Sequence, residues 1–304
     1  MFVVTHRRTF FWITGVILLA SVLALVFLPP QLSIEFTGGS LVEVSYNDSR
    51  PTREVLEERV RSSGIEDASV RESGERSVTV RAHTLSPEEH TSLVSALSVG
   101  GTEPVTEERF TSIGPSIGRE LAIKALYAIA AVTLAILAYI AFVFRKVSKP
   151  VPAWGYGLTA VAMLAIDIIV PAGFFAVYAY FTGAQIDTLF VVALLALMGY
   201  CVNDVIVIFD RVREHLKINK DQEIEEAFEV TVGKSITETL GRSINTSLTV
   251  ALALLAIIII GSEATRNFAI VMLVGVIAGT LSSIFRSAPL LIPIAERFSK
   301  KEQA

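Results

Sequence analysis

The sequence has a single cysteine, Cys201, and only four histidines. One thiol excludes a disulfide framework and a thiolate metal site. His6, His83, His90 and His215 show no ligand spacing and read as scattered surface residues. Charged residues make up 18% of the chain, against 52% hydrophobic. Lysine is missing altogether from residues 31–118, where fifteen Asp and Glu stand against eight Arg. That stretch has a net charge of −7 while the whole chain has −4, so the remainder carries +3. An acidic insert on a basic, apolar body argues against nucleic acid as a partner.

What is abundant is long apolar sequence. A helix crossing a bilayer needs about 20 mostly apolar residues. Six runs qualify: 10–28, 121–144, 158–181, 186–209, 244–260 and 268–294. The first has a basic flank, His6, Arg7 and Arg8, as a signal peptide would. Its length, the poor cleavage site "LPPQ" and the five runs that follow favour a retained first span. Division of the chain follows: 1–30 as the N-terminus and first span, 31–118 as an extramembranous domain, and 119–304 as five further spans with a polar segment at 211–243 and a C-terminal tail.

Basic residues at span ends set orientation. Arg7/Arg8, Arg145/Lys146/Lys149, Arg211/Arg213/Lys217/Lys220 and Arg297/Lys300/Lys301 all fall on one side of a six-span chain, and the opposite short loops hold only Arg266. Both termini are expected in the cytoplasm, with 31–118 outside, in a multi-pass protein of the cytoplasmic membrane.

The insert reads as a series of short elements. "LVEVSY" alternates Val42, Val44 and Tyr46, the period of a half-buried strand. "PTREVLEERVRSSG" suits a helix, with Pro51 in its first turn and Gly64 past its end. "ASVRE" and "RSVTVRA" read as strands joined at "SGE". Ser86 and Glu89 form a capping box with Pro87 at the first helical position, and the helix stops at Gly100/Gly101. A weaker strand covers 104–112. The order β-α-β-β-α-β predicts a ferredoxin-like α+β domain. It has no nucleophile motif and no catalytic pair of carboxylates, so it reads as a binding module and not an enzyme.

Three ionisable residues lie within the runs: Asp167, Asp204 and Arg242. A carboxylate at a helix centre costs about 2.5–3.5 kcal/mol on insertion scales. Counted from the outer ends, all three lie at about the same depth, within about 6 Å at 1.5 Å per residue. Asp204 and Arg242 are therefore expected to face each other as an ion pair, with Asn203 and Asn245 as hydrogen-bonding neighbours. Two readings stay open: a static pair that fixes helix packing, and a titratable relay that discharges an ion gradient. Gly275, Gly279, Ser282 and Ser283 form a small-residue stripe that calls for a close helix neighbour, in this chain or in a partner. Arg286 is expected to snorkel from the end of the last span. Ile224, Ala227, Phe228 and Val232 share one stripe, which predicts a short amphipathic helix over 221–232. Glu35, Phe36, Thr37, Gly38 and Gly39 precede the first strand. Without a following Lys-Ser/Thr they suit a tight turn better than a phosphate cradle.

Those last residues, "IEFTGGS", resemble the Asp-Phe-Thr-Gly-Gly signature of the SecD/SecF translocase family. "GYCVNDVIVIFDRVRE", "TLGRSINTSLT" and "FAIVMLVGVIAGTLSSIFRSAPLL" are similar to the fourth, fifth and sixth helices of its SecF branch. The small insert also fits SecF better than SecD. The resemblance implies an RND-like half bundle that pairs with a SecD-like subunit, associates with the SecYEG channel and promotes late translocation of a preprotein with the proton or sodium gradient. No cofactor beyond that coupling ion is implied, and membrane lipid surrounds the spans. Asp204 and Arg242 match the family's functional Asp and Arg, and Asp167 matches a further Asp. The chain departs from the pattern with Glu35 for Asp, Ile166 for the usual His, and Arg286 for a usually apolar residue. Two other readings remain at this point. One is an RND-type half-transporter of lipid or small molecules, and the other is a scaffold whose charges only hold helices together.

Overall fold

The computed structural model describes residues 2–65, 67–73, 75–98, 103–145 and 150–302. Gly74, Gly100, Gly101, Lys146 and Lys149, used above for turns and for orientation, lie outside the described residues. The chain forms two compact units, Leu32–Leu126 and a second one made of Met1–Gln31 with Tyr127–Ala304.

The first unit is built on four strands: β1 (Gly39–Tyr46), β2 (Ser69–Ser73), β3 (Ser77–Ala82) and β4 (Val105–Ile113). All pairs are antiparallel and the order is β2-β3-β1-β4. With two crossover helices this is the ferredoxin-like arrangement that the sequence pattern predicts. Val42, Val44 and Tyr46 on β1 and Val78 and Val80 on β3 point to one face. Leu56 and Val60 of one helix (Arg53–Ser62) and Leu93 and Leu97 of another (Pro87–Leu97) cover it. Burial of each such side chain contributes about 1.5–3 kcal/mol. Ser86 caps the second helix by a complete capping box, with Pro87 in the first turn. Thr52 is the N-cap of the first, so Pro51 stands before that helix and not inside it. The Tyr46 hydroxyl donates to the Leu97 carbonyl at 3.1 Å and so ties sheet to helix.

Among the described residues six helices are long and apolar enough to cross a membrane, five within the second unit and one that begins in the first. A short α1 (Phe2–Thr5) leads into α2 (Arg7–Phe27), and a single turn, α3 (Ile34–Thr37), opens the first unit. Taking the helices of that unit, Arg53–Ser62 and Pro87–Leu97, as α4 and α5, the remaining spans are α6 (Pro115–Val143), α7 (Ala153–Thr182), α8 (Thr188–Asp221), α9 (Phe228–Ile260) and a last span at Thr265–Phe298. That last span is α10 (Glu263–Ser282), a π-helical turn at Ser283–Ser287, and α11 (Ala288–Glu302). α7, α8 and the last span form the buried centre, whereas α2, α6 and α9 leave most of their surface open.

Two expectations are corrected here. Residues 221–232 form no separate amphipathic helix. α8 runs to Asp221, a short turn follows, and α9 starts at Phe228. Phe228 and Val232 belong to the first turns of α9 and face the bundle, while Ile224 is exposed. Glu226 fixes the turn: it accepts from Thr231 Oγ1 at 3.0 Å and from Asn219 Nδ2 at 3.4 Å, and pairs with Lys234. The residues read as a 211–243 segment are therefore largely continuous helix. The second correction concerns Arg286, which is 7% exposed and does not reach the end of its span.

Candidate functional site

Asp167 on α7 and Asp204 on α8 are 2% and 4% exposed. The Asp204 charge acts on Asp167 across the contact of α7 with α8. Both oxygens of Asp167, and Oδ2 of Asp204, are buried without a hydrogen-bond partner. The Ser282 hydroxyl and the Cys201 thiol face Asp167. Ser243 and Ser283 hydroxyls face Asp204. Two carboxylates set in an apolar bundle with so few donors form a site poised to accept positive charge.

The expected ion pair between Asp204 and Arg242 is not formed within this chain. Arg242 is exposed and acts on Asp204 only at longer range. The reason is rotational. α9 presents Ser235, Thr239, Ser243 and Ser247, spaced four apart, to its neighbours, and all four are buried. Arg242 stands one residue, about 100°, away from that stripe. Asn245 and Asn203 are likewise exposed. The structure thus brings Asp167 and Asp204 together, and sets Arg242, Asn203 and Asn245 on the open surface of α8 and α9.

A polar chain runs beside the site. Tyr200 donates to Ser247 Oγ at 2.9 Å, Ser247 and Thr280 hydroxyls share a 2.5 Å hydrogen bond, and Thr280 donates to the Val276 carbonyl at 2.7 Å. It links α8, α9 and α10. Tyr200, Ser243, Ser247 and Thr280 escaped the sequence reading. The four-residue spacing of hydroxyls on α9 was the signal that could have found the two serines.

The small-residue stripe of α10 faces inward. A β-carbon on Gly275 would collide with Leu197, and one on Gly279 with the sulfur of Cys201. Ser282 and Ser283 are fully buried, and Ser282 touches the Met163 sulfur at 3.5 Å. The close neighbour is therefore α8, with α7, of the same chain. A second close crossing went unforeseen: a β-carbon on Gly173 of α7 would overlap the backbone of Ser21 on α2.

The Glu35–Gly39 segment has its own geometry. Ser33 caps α3 by accepting from the Glu35 N–H at 3.2 Å, and Phe36 is buried. Gly38 ends the turn at φ +78, where a β-carbon would stand 2.6 Å from Pro115 Cα. Gly118 returns the contact, since its β-carbon would stand 2.7 Å from the Gly38 nitrogen. The strand that enters the sheet and the helix that leaves it cross here backbone to backbone.

Residues 95–297 match the family described as "Protein export membrane protein SecD/SecF, C-terminal". The chain belongs to the SecD/SecF family. Residues 23–49 match the SecD/SecF GG motif, which contains the crossing at Gly38 and Gly39. Among SecD/SecF relatives, "Protein translocase subunit SecF" of Thermobaculum terrenum is 34% identical over 95% of this chain and 92% of its own. The protein of the same description from Anaerolinea thermophila is 36% identical over 94% and 91%. The crystal structure of SecDF, a translocon-associated membrane protein from Thermus thermophilus, superposes with a TM-score of 0.82 at 28% identity. It covers 97% of this chain, and this chain spans 38% of that longer one. The chain is thus a multi-pass membrane protein of the SecD/SecF type.

Proposed function

We propose that this chain is an accessory subunit of the Sec protein translocase, working with a SecD-like subunit to promote late movement of a preprotein through the SecYEG channel at the expense of an ion gradient. The observation that carries this reading is the pair Asp167 and Asp204, buried with unpartnered oxygens, beside an Arg242 that is exposed on α9. An Arg left in lipid costs several kcal/mol, so a second chain is expected to cover that surface. Proton binding to Asp204 changes its attraction for Arg242 and for the α9 hydroxyls. That gives α8 and α9 two packing states, and ion passage supplies about 2.3 kcal/mol per charge per 100 mV.

In this reading both termini and the α8–α9 turn are cytoplasmic and residues 31–118 are outside. The chain acts without an enzymatic step. The proton is the coupling ion, and sodium is the alternative that a test can separate. The signature residues Glu35, Phe36, Thr37, Gly38 and Gly39 serve to hold the entry into the outer domain tightly against the start of α6. Gly275, Gly279, Ser282 and Ser283 keep α10 close to the site.

The test is gradient-driven export in proteoliposomes that hold the complete complex. Asp204→Asn is expected to abolish the stimulation while leaving assembly with the partner intact. Wild-type export by Asp204→Asn under an intact gradient would make the carboxylate purely structural. Collapse by a protonophore but not by a sodium ionophore identifies the proton.

A further inference from the structure

Arg286 has no place in the site as described so far, yet it is among the most buried cations of the chain. It sits in the π-helical turn Ser283–Ser287, where Ser283, Ile284, Arg286 and Ser287 are all buried. A guanidinium has five N–H donors. Nη2 of Arg286 donates to the Ala278 carbonyl at 3.3 Å, a neutral acceptor. On another side the residue borders an apolar cavity of about 500 Å³, walled by Phe10, Ile17, Phe174, Ile277 and Phe285. That wall offers no counter-charge. A buried cation without one is among the costliest arrangements in a membrane interior.

The anion lies on the next helix. The bond to Ala278 brings the guanidinium back along α10 to the turn that holds Gly279. A β-carbon on Gly279 would stand 3.9 Å from Asp167 Cγ. Ser282, on the following turn, faces the same carboxylate. The π turn also packs directly against α7. Among the described residues Asp167 is the acid whose charge acts on Arg286, and its two oxygens are buried without a hydrogen bond of ordinary geometry.

We propose that Arg286 is the buried counter-charge of Asp167 and positions that carboxylate beside Asp204. The membrane charges then fall into two sets. Asp167 and Arg286 form an inner set, closed within this chain. In the other, Asp204, itself buried, is the carboxylate nearer α9, and Arg242 acts on it at longer range from the open surface of that helix. With all four ionised the cluster is neutral, and not −1 as Asp167, Asp204 and Arg242 alone would give. Arg286 is buried within the π turn, whose extra residue changes the angular register of the side chains along this span. The functional consequence rests on the ion-coupling reading above, but the pairing itself does not.

The experiment is a double-mutant cycle in the full chain, assembled with its partner: Asp167→Asn, Arg286→Met and the double variant. Thermal unfolding in detergent and gradient-driven export are read for each. Either single change leaves one buried charge alone and is expected to lower the unfolding midpoint by about 5–10 °C. The double variant is expected to recover at least half of the summed loss. Should a single variant fail to accumulate in the membrane, the double variant is expected to accumulate. Arg286→Lys keeps the charge and should lose less than Arg286→Met. In export, a positioning role predicts that Arg286→Met shifts the pH profile and that adding Asp167→Asn moves it back. Additive losses in the double variant, a double variant that also fails to accumulate, a Lys variant as damaged as Met, or an unmoved pH profile would each overturn the pairing. Normal export by Asp204→Asn would instead remove the ion-coupling reading, and the unfolding cycle would still decide the pair.

Discussion

The sulfur of Cys201 occupies the space that a β-carbon on Gly279 would need. Both residues stand beside Asp167, so the separation of α8 and α10 at the level of the carboxylates is set by the absence of one methyl group. Gly279→Ala is expected to force these helices apart and cost about 1–3 kcal/mol. Cys201→Ala in the same chain should return part of that loss, because alanine removes the colliding sulfur. Thermal unfolding of the two variants and their combination checks this. Equal midpoints for Gly279→Ala with and without Cys201→Ala would disprove the contact.

Gly38 combines a positive φ with a backbone neighbour, so substitution fails on two grounds. Gly38→Ala is expected to cost about 1–3 kcal/mol from strain alone, with overlap on Pro115 in addition. Gly64 has φ +87 but open space around it. Gly64→Ala should therefore cost the backbone strain but not the overlap, and be the milder of the two. Protease sensitivity of residues 31–118 in membranes separates the two, and similar sensitivity would mean the crossing at Pro115 carries no energetic weight.

Orientation can be read with single cysteines. Cys201 is buried and gives little background to a polar maleimide. Asp48→Cys and Glu75→Cys should label only from outside the cell, and Lys220→Cys only after the membrane is permeabilised. Labelling of Lys220→Cys in intact cells would reverse the proposed topology.

The open surface of α9 makes its own prediction. Ile244, Leu248 and Leu252 are exposed there together with Arg242, Asn245 and Thr249. Cysteines at Asn245 or Thr249 should cross-link to a SecD-like subunit. Cysteines at Gly275 or Ser282 should not, because those positions are buried against this chain's own helices. Cross-linking from Ser282 and silence from Asn245 would place the partner on the wrong face.

Acid should loosen the outer domain. Bonds from the Ser86 backbone and then the His83 ring hold Glu89 below its ordinary value of 4.5. The Arg59 guanidinium does the same for Glu103. A depressed carboxylate adds stability that is complete above the ordinary value and is lost as pH falls through the folded one. Hydrogen exchange over residues 86–97, corrected for intrinsic rate, should therefore accelerate as pH drops below about 4.5. Glu89→Gln should flatten that dependence. An unchanged slope in Glu89→Gln would assign the acid effect elsewhere.

Linear spacing carried much of this architecture. Six apolar runs gave the spans, and the alternation of Val42, Val44 and Tyr46 gave β1. Ser86 with Glu89 gave the start of α5. The depths of Asp167 and Asp204 were also legible, because 1.5 Å per residue along a straight helix needs no tertiary knowledge. Azimuth was not legible. Ser243 and Arg242 are neighbours in sequence, yet one faces Asp204 and the other faces outward, and only the packing of α9 against α8 decides which. Arg286 escapes the sequence for a related reason: its place near a span's end predicts snorkelling, and nothing in the sequence announces a π turn. Residues 221–232 misled because the apolar stripe of a helix's first turns looks the same whether it meets lipid or other helices.

The length of α8 has a mechanical meaning. Its 34 residues span about 51 Å, against a hydrocarbon core of about 30 Å. Asp221 lies about 26 Å along the axis from Asp204. α9 runs beside this projecting part and is tied to it by Glu238, which pairs with both Arg211 and His215. The two helices are therefore braced together beyond the level of the carboxylates. A tilt of about 10° there, small enough to follow from one changed side-chain contact, sweeps the tip at residues 222–227 through about 4–5 Å. A lever of this length would turn a small rearrangement at the carboxylates into a displacement as large as a side chain at its tip.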